Sequence, residues 1–199
     1  MTWEDRLGGG LDRYVWKVWI EEMGPFALKF WDTDPPDFLH YYAAQRECQN
    51  AAVLQMMEAA ITQAAVESPR SESTRILGPR TRRKCFGWLR LSGDIFRRFP
   101  LEMRAPSYKV SKIQRSMSSS RNYIALVYEY VEEGENDEAV VEDVDRFFWL
   151  AGFSHTISPS AENWKSGVLV DLADIVYAGG YGWKKQFYRA RTADWILIE

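Results

Sequence analysis

The stretch YVWKVWIEEMGPFALKFW, residues 14–31, sets the first two elements of the chain. Bulky apolar residues alternate with others over residues 14–20, the pattern of a half-buried strand, and residues 25–31 form a second short apolar run. Residues 21–24 between them carry turn formers, so the two runs predict a hairpin. Beyond Pro35-Pro36, Asp37 can cap a helix. Residues 38–66 are rich in Ala, Gln, Met and Glu and contain neither Gly nor Pro, which predicts one long helix. Further along, residues 85–91 read as a strand and YIALVYEYV, residues 123–131, as a buried one. Residues 138–153 fit a helix with Val141, Val144, Phe148 and Leu150 on one side, and residues 168–170 a short strand. Strand pairs, a long helix and then another strand predict the α+β class: a twisted antiparallel sheet packed by the helix, joined near Glu129 and Val131 to a smaller helical part.

The 199 residues, 46% hydrophobic, 27% charged and 15% aromatic, are enough for one sizeable core and exclude disordered, collagen-like and coiled-coil classes. Cys48 and Cys85 are too few for a disulfide framework or a clustered zinc site, so a reducing intracellular compartment, cytoplasm or nucleus, is expected. Trp3, Glu4, Asp5 and Arg6 open the chain without an apolar leader, and no stretch approaches the roughly 18 apolar residues of a span, so no membrane partner is expected. Charge is unevenly spread. Residues 67–121 hold fourteen Lys/Arg against four acids, and residues 129–145 hold nine acids and no base. Such runs are usually solvated faces. Nucleic acid is a partner class the basic stretch allows, but it requires the bases to converge with aromatic or groove-reading elements, which Arg82-Arg83-Lys84 alone does not supply. Within that stretch a serine tract, residues 116–120, is expected to be mobile.

Glycines near the start, Gly8-Gly9-Gly10 before Val15, can bring backbone N–H groups close to phosphates. The segment resembles the protein-kinase glycine-rich pattern at Gly8, Gly10 and Val15, with Arg13 in place of its third glycine. Phe26-Ala27-Leu28-Lys29 is similar to the V-A-I-K strand of that family, and Glu47 in the following helix stands where the family's glutamate pairs with the lysine. Leu126-Val127-Tyr128-Glu129-Tyr130-Val131 looks like the hinge. The resemblance implies Tyr128 as gatekeeper, the Glu129 carbonyl and Val131 N–H toward adenine, and Glu135 near the ribose. Downstream, Asn163 and Asp171 resemble the metal-holding asparagine of the catalytic loop and the aspartate of the D-F-G strand, implying ATP or another nucleotide with Mg2+. The implied architecture is a single kinase-like domain, with a small-lobe part over 1–131 carrying the basic loop-rich insert and a reduced large-lobe part over 132–199.

The departures from that family shape the functional reading. Five residues before Asn163, at the catalytic-aspartate position, stands Ser158; the loop lysine and arginine positions are Ser160 and Ile157. A neutral hydroxyl cannot orient a substrate proton as a carboxylate does. His155 and Asp174 are the remaining candidates for that work, each with an ordinary structural role open to it. Only 28 residues follow Asp171, and no A-P-E motif is recognisable, so the resemblance implies a stripped large lobe. A looser similarity to kinase-like fungal proteins, a kinetochore-subunit family among them, runs through residues 163–171. Three functions compete. A catalytically degraded pseudokinase would bind nucleotide and act as a binding or regulatory module with a protein partner. A small atypical phosphotransferase would use the same groups for turnover, and a protein-interaction module would use no nucleotide. Lys29, Glu47, Asn163 and Asp171 favour nucleotide over none; the missing base favours binding over turnover.

Overall fold

The computed structural model describes residues 1–9, 13–32, 42–67, 83–110, 113–156 and 159–198. The chain divides into two compact units, Met1–Leu39 with Lys84–Tyr130 and His40–Arg83 with Val131–Glu199. The first holds strands β1 (Thr2–Gly9), β2 (Tyr14–Ile20), β3 (Met23–Asp32), β4 (Cys85–Ser92), β5 (Tyr108–Val110), β6 (Ile113–Arg115) and β7 (Asn122–Glu129). Five of them form one sheet in the order β1-β2-β3-β7-β4, every neighbour antiparallel, while β5 and β6 pair separately. The expected hairpin is β2–β3, with Ile20 opposite Met23.

Alternation puts Tyr14, Trp16 and Val18 of β2, Leu28 and Phe30 of β3, and Tyr123, Ala125 and Val127 of β7 into one buried cluster. Two 3-10 turns, Gly93–Arg98 and Leu101–Met103, bring Phe96, Phe99 and Met103 against that face. Trp16 lies at the centre. Its ring meets Phe30 edge-on at 5.2 Å and stacks on Phe96 at 5.5 Å, and its indole N–H donates to the Met103 carbonyl at 3.0 Å. A ring of this size needs both the area and the acceptor to be buried well. The serine tract is a turn closed on this core: the Ser118 N–H donates to the Tyr123 hydroxyl oxygen at 2.7 Å, and Gly93 donates to the Arg121 carbonyl at 2.7 Å. Residue 93 has to be glycine, because a Cβ there would sit 2.1 Å from the Ser118 carbonyl oxygen.

Strand β1 has no apolar alternation to announce it. It is an edge strand with Glu4 and Asp5 exposed to water, as edges commonly are, and Trp3 packed on the aromatic core. Its Glu4 accepts from the Lys17 ammonium and the Trp19 indole N–H, each at 2.8 Å, and those bonds hold the Glu4 carboxyl below its ordinary pKa.

The second unit holds α1 (Ala43–Glu67), α2 (Glu138–Leu150), the short strands β8 (Ser154–His155), β9 (Trp164–Lys165), β10 (Val168–Leu169) and β11 (Ile175–Val176), and α3 (Ala193–Ile196). Strand β9 pairs with β10, and β8 with β11. The helix expected from Phe38 is α1; residues 33–41, with the Asp37 cap, lie outside the described residues. Its buried residues are Ala43, Ala44, Glu47, Asn50, Ala51 and Leu54, a narrow stripe at helical spacing confined to the first half. The helix groups with the C-terminal half of the chain rather than with the sheet. Helix α2 starts at the Asp137 cap, whose carboxylate accepts from the N–H groups of Ala139 and Val140, and buries Val141, Val144, Phe147 and Phe148. The fold is therefore α+β, built on a five-stranded antiparallel sheet. Among the described residues no helix is long and apolar enough to cross a membrane.

Replacing Trp16 by Ala is expected to cost about 3–5 kcal/mol, read as a fall in the urea midpoint by circular dichroism. A loss below about 1 kcal/mol would remove Trp16 from the centre of this core.

Candidate functional site

In the first unit the register assembles one cross-strand row on the face opposite the aromatic cluster. Gly8 faces Val15, Val15 faces Lys29, Lys29 faces Leu126, and Leu126 faces Trp88. Side chains opposite one another in an antiparallel ladder share a face. Gly8, Val15 and Lys29, named from separate motifs, thus fall in a single row. Gly8 and Gly9 lie at the end of β1, so the glycines sit at the β1–β2 connection, not ahead of the first strand; Gly10 is outside the described residues. Lys29 is buried, and its ammonium stands 5.4 Å from the centroid of the Tyr128 ring. Taking an ammonium out of water is costly unless negative charge or π density meets it, so a lysine buried on a sheet marks chemistry. Ala27, one row along, pairs with Tyr128 and keeps the same face shallow. Glu129 ends β7, exposed, its N–H donating to the Lys84 carbonyl at 2.9 Å.

In the second unit, α1 and the turn Leu172–Asp174 meet through polar groups. Glu47 Oε2 and Asp171 Oδ1 accept from the same Ala173 N–H, at 3.0 and 3.2 Å. Asn50 donates to the Leu172 and Ile175 carbonyls at 2.7 and 2.6 Å, and Arg46 to the Ala173 carbonyl at 3.3 Å. Glu47, Asn50 and Asp171 are all buried. Asn163, at the end of its own 3-10 turn, gives its amide nitrogen to Asp174 Oδ2 at 2.5 Å, and its carbonyl accepts from the Val170 N–H at 2.8 Å. Glu47, Asn163, Asp171 and Asp174 are therefore organised about one short segment. Among the described residues no three His, Cys, Asp or Glu side chains gather as a metal cage.

Val131 is half-buried and Glu135 exposed. The acidic strap they belong to is tied to the β9–β10 hairpin. The Ser166 hydroxyl donates to the Glu132 carbonyl at 3.0 Å, Asn136 donates to the Trp164 carbonyl at 3.3 Å and accepts from the Gly167 N–H at 3.0 Å, and Lys165 pairs with Glu133. Ser166 and Gly167 form the hairpin's two-residue turn with φ of 51° and 75°. Both values are left-handed, as this turn type requires. A Cβ at 167 would also lie 2.6 Å from Val140 Cγ1.

His155 is buried in β8. Its Nε2 shares a 2.5 Å hydrogen bond with Asp145 Oδ1, and Asp145 Oδ2 accepts from the Arg191 N–H at 2.7 Å. The imidazole thus ties β8 to α2, and the Asp145 carboxylate ties α2 to the C-terminal segment. Ser158 lies outside the described residues, and Asp174 holds Asn163. Arg46 and Asn50 belong to the constellation of the second unit and were not singled out by motif. The legible signal for Asn50 was a polar residue, three after Glu47, inside the stripe of Ala43, Ala44, Ala51 and Leu54.

Comparison with protein-family models, with curated proteins and with solved structures found no match for this chain.

Asn50→Ala leaves the Leu172 and Ile175 carbonyls without their donor and is expected to cost about 1–3 kcal/mol. Asn50→Asp, which sets a carboxylate against those two oxygens, should cost more. Urea denaturation reads both, and an aspartate variant as stable as the native chain would discard the donor role.

Proposed function

We propose that this chain is a catalytically degraded kinase-like module that binds ATP, or another nucleotide, with Mg2+, and acts by binding or regulation rather than by turnover. The observation that carries the reading is the shared Ala173 N–H. Glu47 and Asp171 come from motifs far apart in the chain, yet they accept from one backbone donor. A helix carboxylate and the cap of a 3-10 turn brought to one N–H suit a site as well as packing, and that is what supports the reading.

The donor set fits magnesium. Mg2+ keeps several waters and takes one or two protein oxygens beside phosphate, so a three-carboxylate cage is not what it needs. Asp171 supplies a carboxylate. Asn163 supplies an amide whose nitrogen is held by Asp174, so its oxygen is the atom suited to a hard cation. When bound, the nucleotide would supply its phosphates as the remaining ligands. Within the first unit, Lys29, with Gly8 and Val15 in its own row, is the group proposed for phosphate and the Glu129 carbonyl the one proposed for the base; within the second, the Val131 N–H is proposed for the base. The sequence carries Ser158 where a catalytic carboxylate would stand, and a serine leaves positioning and charge neutralisation in place while removing the proton acceptor.

Saturation at about a hundred times the dissociation constant stabilises a protein by about 2.7 kcal/mol, so Mg-ATP should raise the melting temperature by several degrees, and ATP with chelator by less. Asp171→Ala should erase the magnesium dependence and Lys29→Met most of the remaining shift. A folded native chain with no shift at millimolar Mg-ATP would sink the reading.

Radiolabelled phosphate transfer, to the chain itself and to generic protein acceptors, should be absent or very slow. A general base contributes roughly 10²–10⁴-fold, so Ser158→Asp is the variant in which a gain would be seen. Robust native transfer abolished by Asp171→Ala would replace the present reading with that of an atypical phosphotransferase.

A further inference from the structure

Residues 175–193 contain four Lys/Arg and no acid. Two of those bases converge on one indole. The guanidinium carbons of Arg189 and Arg191 lie 5.4 and 5.7 Å from the centroid of the Trp195 ring, and the ring itself is half-exposed. Cation–π attraction holds each cation there, but it supplies no acceptor for their N–H groups. Arg189 is exposed to water, whereas Arg191 is only 9% exposed. Its Nε and Nη1 are buried without a hydrogen-bond acceptor among the described residues. Asp145 is the acid whose charge acts on it, yet both oxygens of that carboxylate are engaged, one by His155 and the other by the backbone N–H of Arg191 itself. Burial pushes the Arg191 guanidinium below its ordinary pKa, and the neighbouring charge of Arg189 pushes the same way. Two like charges are thus held near one ring, with buried donors aimed at no oxygen. That arrangement is stabilised by an anion that offers several acceptors and more than one negative charge.

We propose that Arg189 and Arg191, seated on Trp195, form an oxyanion site that takes a phosphate group. A carboxylate brings one charge and a planar pair of oxygens. A phosphate group brings close to two charges and three strong acceptors, a better match to two neighbouring guanidinium groups than a carboxylate gives. Two sources carry this chemistry, a phosphorylated side chain of a partner protein and free phosphate. The site uses none of the groups assigned to nucleotide, and it stands or falls separately from that reading.

The test uses the full chain, with inorganic phosphate followed by 31P line width and thermal shift, and a fluorescent phosphoserine peptide followed by anisotropy. Phosphate is expected to broaden and to stabilise the native chain. Arg189→Gln, at an exposed position, should weaken binding by about tenfold or more, the loss of one charge-assisted contact, while the Mg-ATP shift stays unchanged. Arg191→Lys keeps the charge but loses the fork and should weaken binding as well; should it fail to fold, Arg189→Gln decides alone. Tighter binding of the phosphopeptide than of phosphate, with none of the unphosphorylated peptide, assigns the site to a phosphoprotein, and equal binding assigns it to free phosphate. Absence of a phosphate effect, an Arg189→Gln chain that binds like the native one, or preference for a single-stranded oligonucleotide over the phosphopeptide would each overturn the proposal.

Discussion

Residues 171–175 pass through the second unit with only a two-residue strand at their end, so their backbone groups cannot be satisfied by a long ladder. The side chains of α1 do that work. Glu47 takes the Ala173 N–H, Arg46 its carbonyl, and Asn50 the carbonyls of Leu172 and Ile175. A buried peptide group left without a partner costs as much as several good apolar contacts return. The helix is therefore attached to this segment by polar satisfaction more than by area, and half of its buried stripe can be alanine. Small side chains let the helix approach; the three polar ones determine where along its length it stops.

The first unit is built on the opposite principle. Its sheet has one face filled with rings, Trp16, Phe30, Phe96, Phe99 and Tyr123 among them, stacked at Trp16–Phe96 and edge-on at the other contacts. That side makes the sheet rigid. The other face is then at liberty to carry residues poor for packing, a glycine, an alanine and a buried lysine in neighbouring rows. A lysine can be kept out of water on β3 because the strand is secured by the aromatic face behind it and by β2 and β7 on either side.

Much of this was legible from residue order. Period-two alternation over residues 14–20, the continuous apolar run over residues 123–131, and the unbroken Ala, Gln and Met content after residue 42 are strong local signals, and the elements found there follow them. Strand β1 was not legible, because in TWEDRLGG only Trp3 packs on the aromatic core, and one apolar residue makes no alternation; its pairing with β2 makes it a strand. The β5–β6 hairpin has three-residue strands, too short for a period to show. For the candidate site, the motifs supplied Lys29, Glu47, Asn163 and Asp171, but they said nothing of Asn50 or Arg46, whose roles are bonds to backbone and leave no fixed pattern. His155 illustrates the converse. Its residue type and place suggested chemistry, and its Asp145 partner, on another element, ties it into a buried junction that spacing along the chain could not reveal.

The Ser166-Gly167 turn carries a consequence for how this chain can change over evolutionary time. Position 167 needs a left-handed backbone and has Val140 within 2.6 Å of where a Cβ would stand. Any substitution there meets two obstacles at once, and enlarging residue 140 meets the second of them from the other side. The two positions form a coupled pair across a long gap in sequence. Among descendants of this chain, residue 167 should stay glycine wherever residue 140 keeps a branched side chain, and relaxation at 140 should precede any drift at 167. The acidic strap would record the same history, since its bond to the Gly167 N–H survives only while that turn keeps its shape.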